Sequence, residues 1–307
     1  MQNGLLFHGL ALNLLFESSA ELTSASPIGV FDSGLGGLSV LRAIGDHLPG
    51  EDLVFAADSG HAPYGDRHAP FIEERSLAMV GFLVEQGAKA VVVACNTATV
   101  VAAAELRRRF AIPIVALEPA IKPAVHVTQS NVVGVLATTR TIGSPAVARL
   151  CSEFGQGVDI RLQACPGWVA QVERGDLDTP ATRQLVKTYV QPLLDAGADT
   201  LVLGCTHYPF LAPLIRELAG PGVTLVESSA AVARELARRT EVMRHPLYAQ
   251  RQGSVRFFTT GDLAVSQAQM SRLSGRPVVV QSVSGAPLRA GPLSTALGVV
   301  APPALPD

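Results

Sequence analysis

The segment Gln86–Cys95 recurs 110 positions later as Ala196–Cys205, and a chain that repeats itself in this way has few folds open to it. Gln-Gly-Ala-Lys-Ala-Val-Val-Val-Ala-Cys becomes Ala-Gly-Ala-Asp-Thr-Leu-Val-Leu-Gly-Cys, with glycine, apolar run and cysteine in the same order. Ile28–Phe31 (Ile-Gly-Val-Phe) likewise returns as Val133–Leu136 (Val-Gly-Val-Leu) at a spacing of 105. A third pair of runs, starting at Ile112 and Val223, is spaced by 111. The spacing grows slowly along the chain, as loop insertions would make it.

Short apolar runs predict buried strands at Ile28–Phe31, Leu53–Ala57, Ala90–Ala94 and Ile112–Leu117, then at Val132–Leu136, Asp159–Gln163, Thr200–Gly204 and Val223–Val226. Helical patterns lie between most of them, at Phe71–Gln86, Ala98–Arg109, Pro180–Leu194 and Phe210–Ala219. Strand and helix in alternation give parallel sheets with helices on their faces. The expected class is therefore α/β: two similar halves, each a mainly parallel sheet flanked by helices, related by a pseudo-twofold axis with a cleft between them. The first half takes residues 27–120 and 229–285, where strands at Val255–Thr260 and Pro277–Gln281 and a helix at Asp262–Arg272 complete it. The second half takes residues 121–228. Residues 1–26 read as an N-terminal extension and residues 286–307, rich in Pro, Ala and Gly, as a flexible tail.

Composition narrows the function. Hydrophobic residues make up 48% and charged residues only 16%, a balance that suits buried parallel strands. The net charge of -2 offers no basic surplus for nucleic acid or an anionic membrane. The apolar run Leu5–Phe16 is too short to span a bilayer, and the first Lys or Arg is Arg42, so a signal peptide is not expected. Four cysteines, at 95, 151, 165 and 205, form no CxxC pair and no disulfide framework. They point to a reducing, cytoplasmic compartment.

Cys95 and Cys205 close the third strand of each half, where ligands of open α/β sheets bind. If the halves face each other, the two thiols converge on one cleft from opposite sides. Each is followed by small polar residues of N-cap type, Asn96-Thr97 and Thr206-His207. A helix N-terminus there would favour a thiolate and hold a substrate carboxylate. Racemisation at a Cα carbon needs this arrangement, because a base on one face must be matched by an acid on the other. A free cysteine titrates near about 8.5, so the site has to tune its thiols. Asp32 and His207 are candidates to assist proton movement.

Asp32–Ser39 (Asp-Ser-Gly-Leu-Gly-Gly-Leu-Ser) follows a strand and precedes a helix, but Ser39 replaces the last glycine of a dinucleotide fingerprint and no P-loop lysine is present. The glycines instead would let backbone approach a small acidic or zwitterionic ligand. Cys205 and His207 lack a third ligand at zinc spacing, so neither cofactor nor metal is expected.

Together these motifs resemble the glutamate racemases. They run in order as Phe31–Leu38, Ala57-Asp58, Pro63-Tyr64-Gly65, Ala94–Ala98, Cys165-Pro166-Gly167, Gly204–Pro209 and Phe258–Asp262, covering roughly residues 27–285. The resemblance implies cofactor-independent interconversion of L-glutamate and D-glutamate for peptidoglycan synthesis, by a homodimer. It implies Cys95 as the base for the D-glutamate face and Cys205 for the L-glutamate face, with Asp32 and His207 assisting them. Glu173 matches a family acidic residue at the site. Asp32, Ser33, Tyr64, Gly65, Asn96, Thr97, Thr206 and His207 would contact substrate. Cys165 reads as buried wall, Cys151 as core and His61 as loop decoration; Trp168 fits either the cleft wall or the core. Two other readings share these features: a racemase for aspartate or a hydantoin, and a binding protein whose lobes close on a small acid.

Overall fold

Buried parallel strands organise the computed structural model, which describes residues 23–283. The expected tail at 286–307 and most of the expected extension at 1–26 lie outside the described residues. The strands are β1 (Ile28–Asp32), β2 (Leu53–Ala57), β3 (Ala90–Val93), β4 (Ile114–Ala116), β5 (Val132–Ala137), β6 (Asp159–Ala164), β7 (Thr200–Leu203), β8 (Thr224–Val226), β9 (Val255–Thr259) and β10 (Val280–Ser282). Two sheets result, in the orders β10-β9-β2-β1-β3-β4 and β6-β5-β7-β8, with every pairing parallel. The order β2-β1-β3-β4 is thus repeated strand for strand as β6-β5-β7-β8. The α/β architecture read from the sequence is the one observed.

Glycine shows how closely the repeat extends into packing. A Cβ on Gly29 of β1 would lie 3.0 Å from Leu83 and 3.1 Å from Val91. A Cβ on Gly134 of β5 would lie 2.6 Å from Leu193 and 2.7 Å from Leu201. Leu83 with Val91 and Leu193 with Leu201 are the same two positions, 110 residues apart. In both halves a helix sits so near the middle of the sheet that only glycine fits beneath it.

The helices are α1 (Leu38–His47), α2 (Ala69–Glu85), α3 (Asn96–Arg109), α4 (Ile121–Val127), α5 (Thr139–Ile142), α6 (Pro145–Phe154), α7 (Trp168–Arg174), α8 (Pro180–Asp195), α9 (Ala212–Ala219), α10 (Ser229–Arg239) and α11 (Leu263–Ser274). Alternate strand residues face opposite layers. Ile28 and Val30 pack with α1, α10 and α11, while Phe31 packs with α2 and α3. In the second half α7, α8 and α9 cover one face and α4 and α6 the other. Among the described residues no helix is long and apolar enough to cross a membrane.

Several boundaries differ from the sequence reading for local reasons. Proline at 113 leaves Ile114 as the first residue of β4, and Pro277 stays outside β10. The helix expected from Phe71 begins at Ala69, because the His68 ring accepts the Phe71 N–H as an N-cap. The helix expected from Phe210 is a 3-10 turn, Tyr208–Leu211, followed by α9. The strand at Asp159 is not buried: it is an edge strand whose Asp159, Arg161 and Leu162 are exposed.

Candidate active site

The carboxyl end of β1 delivers Asp32 into the space between the halves, fully buried. Its carboxylate accepts N–H donors from Ser33, at 2.7 Å, and from Gly37, and the Thr206 hydroxyl from the other half at 3.3 Å. Burial raises the Asp32 carboxyl above its ordinary range, against the His207 charge and the N–H donors. Two residues past β3, Cys95 is itself the N-cap of α3, its Sγ accepting the Ala98 N–H at 3.4 Å. Its thiol donates to the Ser33 hydroxyl at 3.5 Å. Burial, and then the Asp32 charge, push this thiol up. Asn96 and Thr97, expected as caps, form the first turn instead. The helix end does not by itself make Cys95 a thiolate, because desolvation outweighs it.

Cys205 holds the matching position two residues past β7, but no α-helix starts there. The chain enters a 3-10 turn at Tyr208 instead. Cys205 faces a ring: its Sγ lies 3.7 Å from His207 Nδ1. The other nitrogen, Nε2, lies 2.6 Å from Glu173 Oε1 near the end of α7. Burial disfavours charge on this ring, yet Cys205 and Glu173 together raise the His207 pKa well above the ordinary value. Nε2 cannot both donate to Glu173 and accept the Gly36 N–H, 3.2 Å away. The shorter, charge-assisted contact to Glu173 prevails, which leaves both ring nitrogens as donors.

The glycine turn after β1 is shaped by the opposite half. The Leu35 N–H donates to Glu173 Oε1 at 2.7 Å, and the Ser39 hydroxyl to the Thr206 carbonyl at 3.0 Å. A Cβ on Gly34 would run into Glu173, and one on Gly36 into His207 and Thr206. At Gly34 and Gly36 the close approach that glycine permits is made to side chains of the opposite half. On the other side of the cleft Thr97 Oγ1 lies 3.0 Å from Thr138 and 3.4 Å from Thr141. A Cβ on Gly65 would sit 3.2 Å from Thr138. Asn96, 3% exposed, donates weakly to the Leu117 carbonyl and keeps a buried Oδ1 with no partner.

Residues 28–236 match the Asp/Glu/hydantoin racemase family model. The chain belongs to that family. The glutamate racemase of Methylococcus capsulatus is 58% identical over 215 residues, covering 70% of this racemase and 79% of the relative. That of Ectopseudomonas mendocina is 51% identical over 259 residues, covering 84% and 98%. Among solved structures, glutamate racemase isoform RacE1 from Bacillus anthracis superposes with a TM-score of 0.76 at 34% identity, covering 84% of this chain and 97% of that one. Escherichia coli glutamate racemase, solved with L-glutamate and the activator UDP-MurNAc-Ala, gives 0.74 at 31% identity, covering 84% and 97%.

The racemase brings Asp32, Ser33, Cys95 and Thr206 into one hydrogen-bonded cluster, with the His207–Glu173 pair beside it. The Tyr64 hydroxyl is outside this network, donating to Asp58 at 2.6 Å. Trp168 fills the core of the second half, edge-on to Tyr208 with ring centroids 4.7 Å apart. Cys165 is buried in the same core, whereas Cys151 is only half-buried, against the opposite layer. His61 is no mere decoration, because its Nδ1 lies 2.9 Å from Asp58. Sequence reasoning assigned no role to Thr138 or Thr141. The repeat could have found Thr138, which stands 105 residues after Ser33. A separate cavity of about 330 Å³ between α1, Phe210 and α11 is lined by neither cysteine.

Proposed function

We propose that this racemase interconverts L-glutamate and D-glutamate with Cys95 and Cys205 as its acid and base. The observation that carries the reading is the pair of thiols at matched positions past β3 and β7, each beside the same buried polar cluster. Cys205, facing the His207 imidazolium, begins as the base and takes the Cα proton of L-glutamate. Cys95, held neutral by burial and by Asp32, returns a proton to the opposite face. The reverse reaction exchanges the roles: Asp32 draws the Cys95 proton away, and His207 with Glu173 supplies one to Cys205. The glutamate assignment draws support from the relatives' names and from hydroxyls suited to a second carboxylate at Thr97, Thr138 and Thr141. Ser33, Tyr64, Gly65, Asn96 and Thr206 complete the contacts, with Asn96 Oδ1 free to take the substrate ammonium. The family resemblance further suggests a cytoplasmic homodimer that supplies D-glutamate to peptidoglycan synthesis.

Circular dichroism of L-glutamate with purified, chelator-treated, cofactor-free protein under reducing conditions tests this reading. The signal should decay to zero, and Cys95→Ser and Cys205→Ser should each slow the decay by about 10²- to 10⁴-fold while folding normally. In deuterated water the label should enter Cα chiefly in the product enantiomer. Inert L-glutamate, or faster turnover of aspartate, would overturn the substrate assignment; a near-normal rate in either variant would remove that cysteine from the mechanism.

A further inference from the structure

Asp58 is a buried carboxylate that the proton-transfer scheme does not use. It lies one residue beyond β2, fully buried, and takes part in five side-chain hydrogen bonds, more than any other acid among the described residues. Arg75 of α2 grips it with two bonds, Nε to Oδ2 at 2.9 Å and a terminal nitrogen to Oδ1 at 2.8 Å. The Thr260 hydroxyl donates to Oδ1 at 2.7 Å, His61 Nδ1 sits 2.9 Å from the same oxygen, and Tyr64 donates to Oδ2 at 2.6 Å. Burial alone would raise the Asp58 carboxyl; the Arg75, Tyr64 and Thr260 donors reverse that and lower it, so the group stays charged. A charge kept buried at this density of bonds is costly to maintain, and such a group earns a specific explanation.

Its position supplies one. Tyr64 opens the 3-10 turn Tyr64–Asp66, whose next residue, Gly65, packs on Thr138 of the opposite half. The first N–H groups of such a turn have no acceptor within it. With its hydroxyl proton committed to Asp58, Tyr64 has no side-chain donor left for a carboxylate and can offer one only its backbone N–H. Fixing the hydroxyl fixes the ring, and the ring fixes where the turn stands against Thr138.

We propose that Asp58, braced by Arg75 and Thr260, is a positioning residue that holds the Tyr64–Gly65 turn against Thr138 and so sets the end of the cleft that receives the substrate's distal carboxylate. The assignment of that carboxylate rests on the glutamate reading above; the pinning of Tyr64 by Asp58 does not. Small displacements of a positioning group are felt strongly in binding and rate.

The test combines kinetics with a probe that needs no substrate. Asp58→Asn keeps the side chain's shape, and Tyr64→Phe keeps the ring while removing the hydroxyl. Each should raise KM for L-glutamate at least about tenfold with kcat changed less than about threefold, and the double variant should add little to either, because both remove one interaction. Arg75→Lys should recover only part of the effect seen in Arg75→Gln, since a lysine cannot reproduce the two-point grip. In protein labelled with 3-fluorotyrosine, the Tyr64 resonance, identified by its absence from Tyr64→Phe, should shift or broaden in Asp58→Asn while Tyr189, Tyr208 and Tyr248 stay unchanged. An unaltered Tyr64 resonance in folded Asp58→Asn, or additive effects in the double variant, would overturn the positioning role. A wild-type protein inert toward glutamate, with the Tyr64 resonance still responding to Asp58→Asn, would instead overturn the glutamate reading and leave the pinning intact.

Discussion

Glu173 bridges the two halves: one carboxylate oxygen, Oε1, lies 2.6 Å from His207 Nε2 of its own half and also accepts the Leu35 N–H of the other at 2.7 Å. The same oxygen therefore sets the charge of the ring beside Cys205 and anchors the glycine turn beside Asp32. Charge state on one side of the cleft and backbone position on the other are joined in a single group.

Replacing that oxygen's charge should show in a pH profile. The His207 pKa stands above its ordinary value, with burial working against the shift and Cys205 and Glu173 driving it. Glu173→Gln removes one driver, so the pKa falls and the activity limb that requires the imidazolium moves to lower pH. A raised histidine pKa contributes stability that is complete below about pH 6.5 and is lost as pH rises through the folded value. In the variant this contribution should be smaller, and its loss should be complete at lower pH. Losing a charge-assisted bond worth roughly 1.5–3 kcal/mol predicts a drop of about 10- to 100-fold in kcat/KM. An unmoved limb would separate Glu173 from the titration of His207.

Two glycines nine residues apart should respond to alanine with opposite signs. At Gly36 a Cβ would collide with His207 and Thr206, both placed in the proposed active site. Gly36→Ala should lower the melting temperature and cut activity by at least about 10²-fold, as misplacement of catalytic groups does. Gly45, inside α1, has nothing within 4 Å of its Cβ position. Gly45→Ala should stabilise the protein by about 0.5–1 kcal/mol with activity unchanged. Urea melts and initial rates on the two variants decide the matter.

Lys89 forms a buried ion pair far from the chemistry. Its ammonium lies 2.6 Å from Glu51 Oε2 and 2.7 Å from the Ser24 carbonyl, with the two side chains 2% and 0% exposed. Lys89→Met should destabilise the fold by about 3–5 kcal/mol, because the buried Glu51 loses its cation. Adding Glu51→Gln should restore most of this, as the amide can still accept the His245 N–H that Glu51 now takes at 3.1 Å. A double variant as unstable as the single one would place the loss in packing rather than in charge.

How much of this was readable in the chain follows from how local each feature is. The matched strands and the two cysteines announce themselves because short runs of Val, Ala and Leu recur with the same terminal residue. The layer order follows from that repeat. The cap of α3 was misplaced by one residue, since Cys95 takes the role its polar neighbours suggested. The contact of Glu173 with Leu35 joins residues 138 positions apart, and no periodicity reports it. The purpose of the glycine turn was legible only as a demand for space; what fills the space comes from the other half. The same holds for Asp58 and Arg75, whose pairing depends on how α2 lies over β2.

The duplicated sheet order has a thermodynamic counterpart. Mirror-image amino acids are equal in free energy in water, so the equilibrium constant of racemisation is one, and kcat/KM must be identical in the two directions. No substitution on either side of the cleft can break that equality. A change beside Cys95 alone, or beside Cys205 alone, must alter both directional efficiencies by the same factor, and only kcat and KM taken separately can move apart. The unlike surroundings of the two thiols, Asp32 and Ser33 on one side and His207 with Glu173 on the other, therefore distribute saturation between the enantiomers without favouring either product.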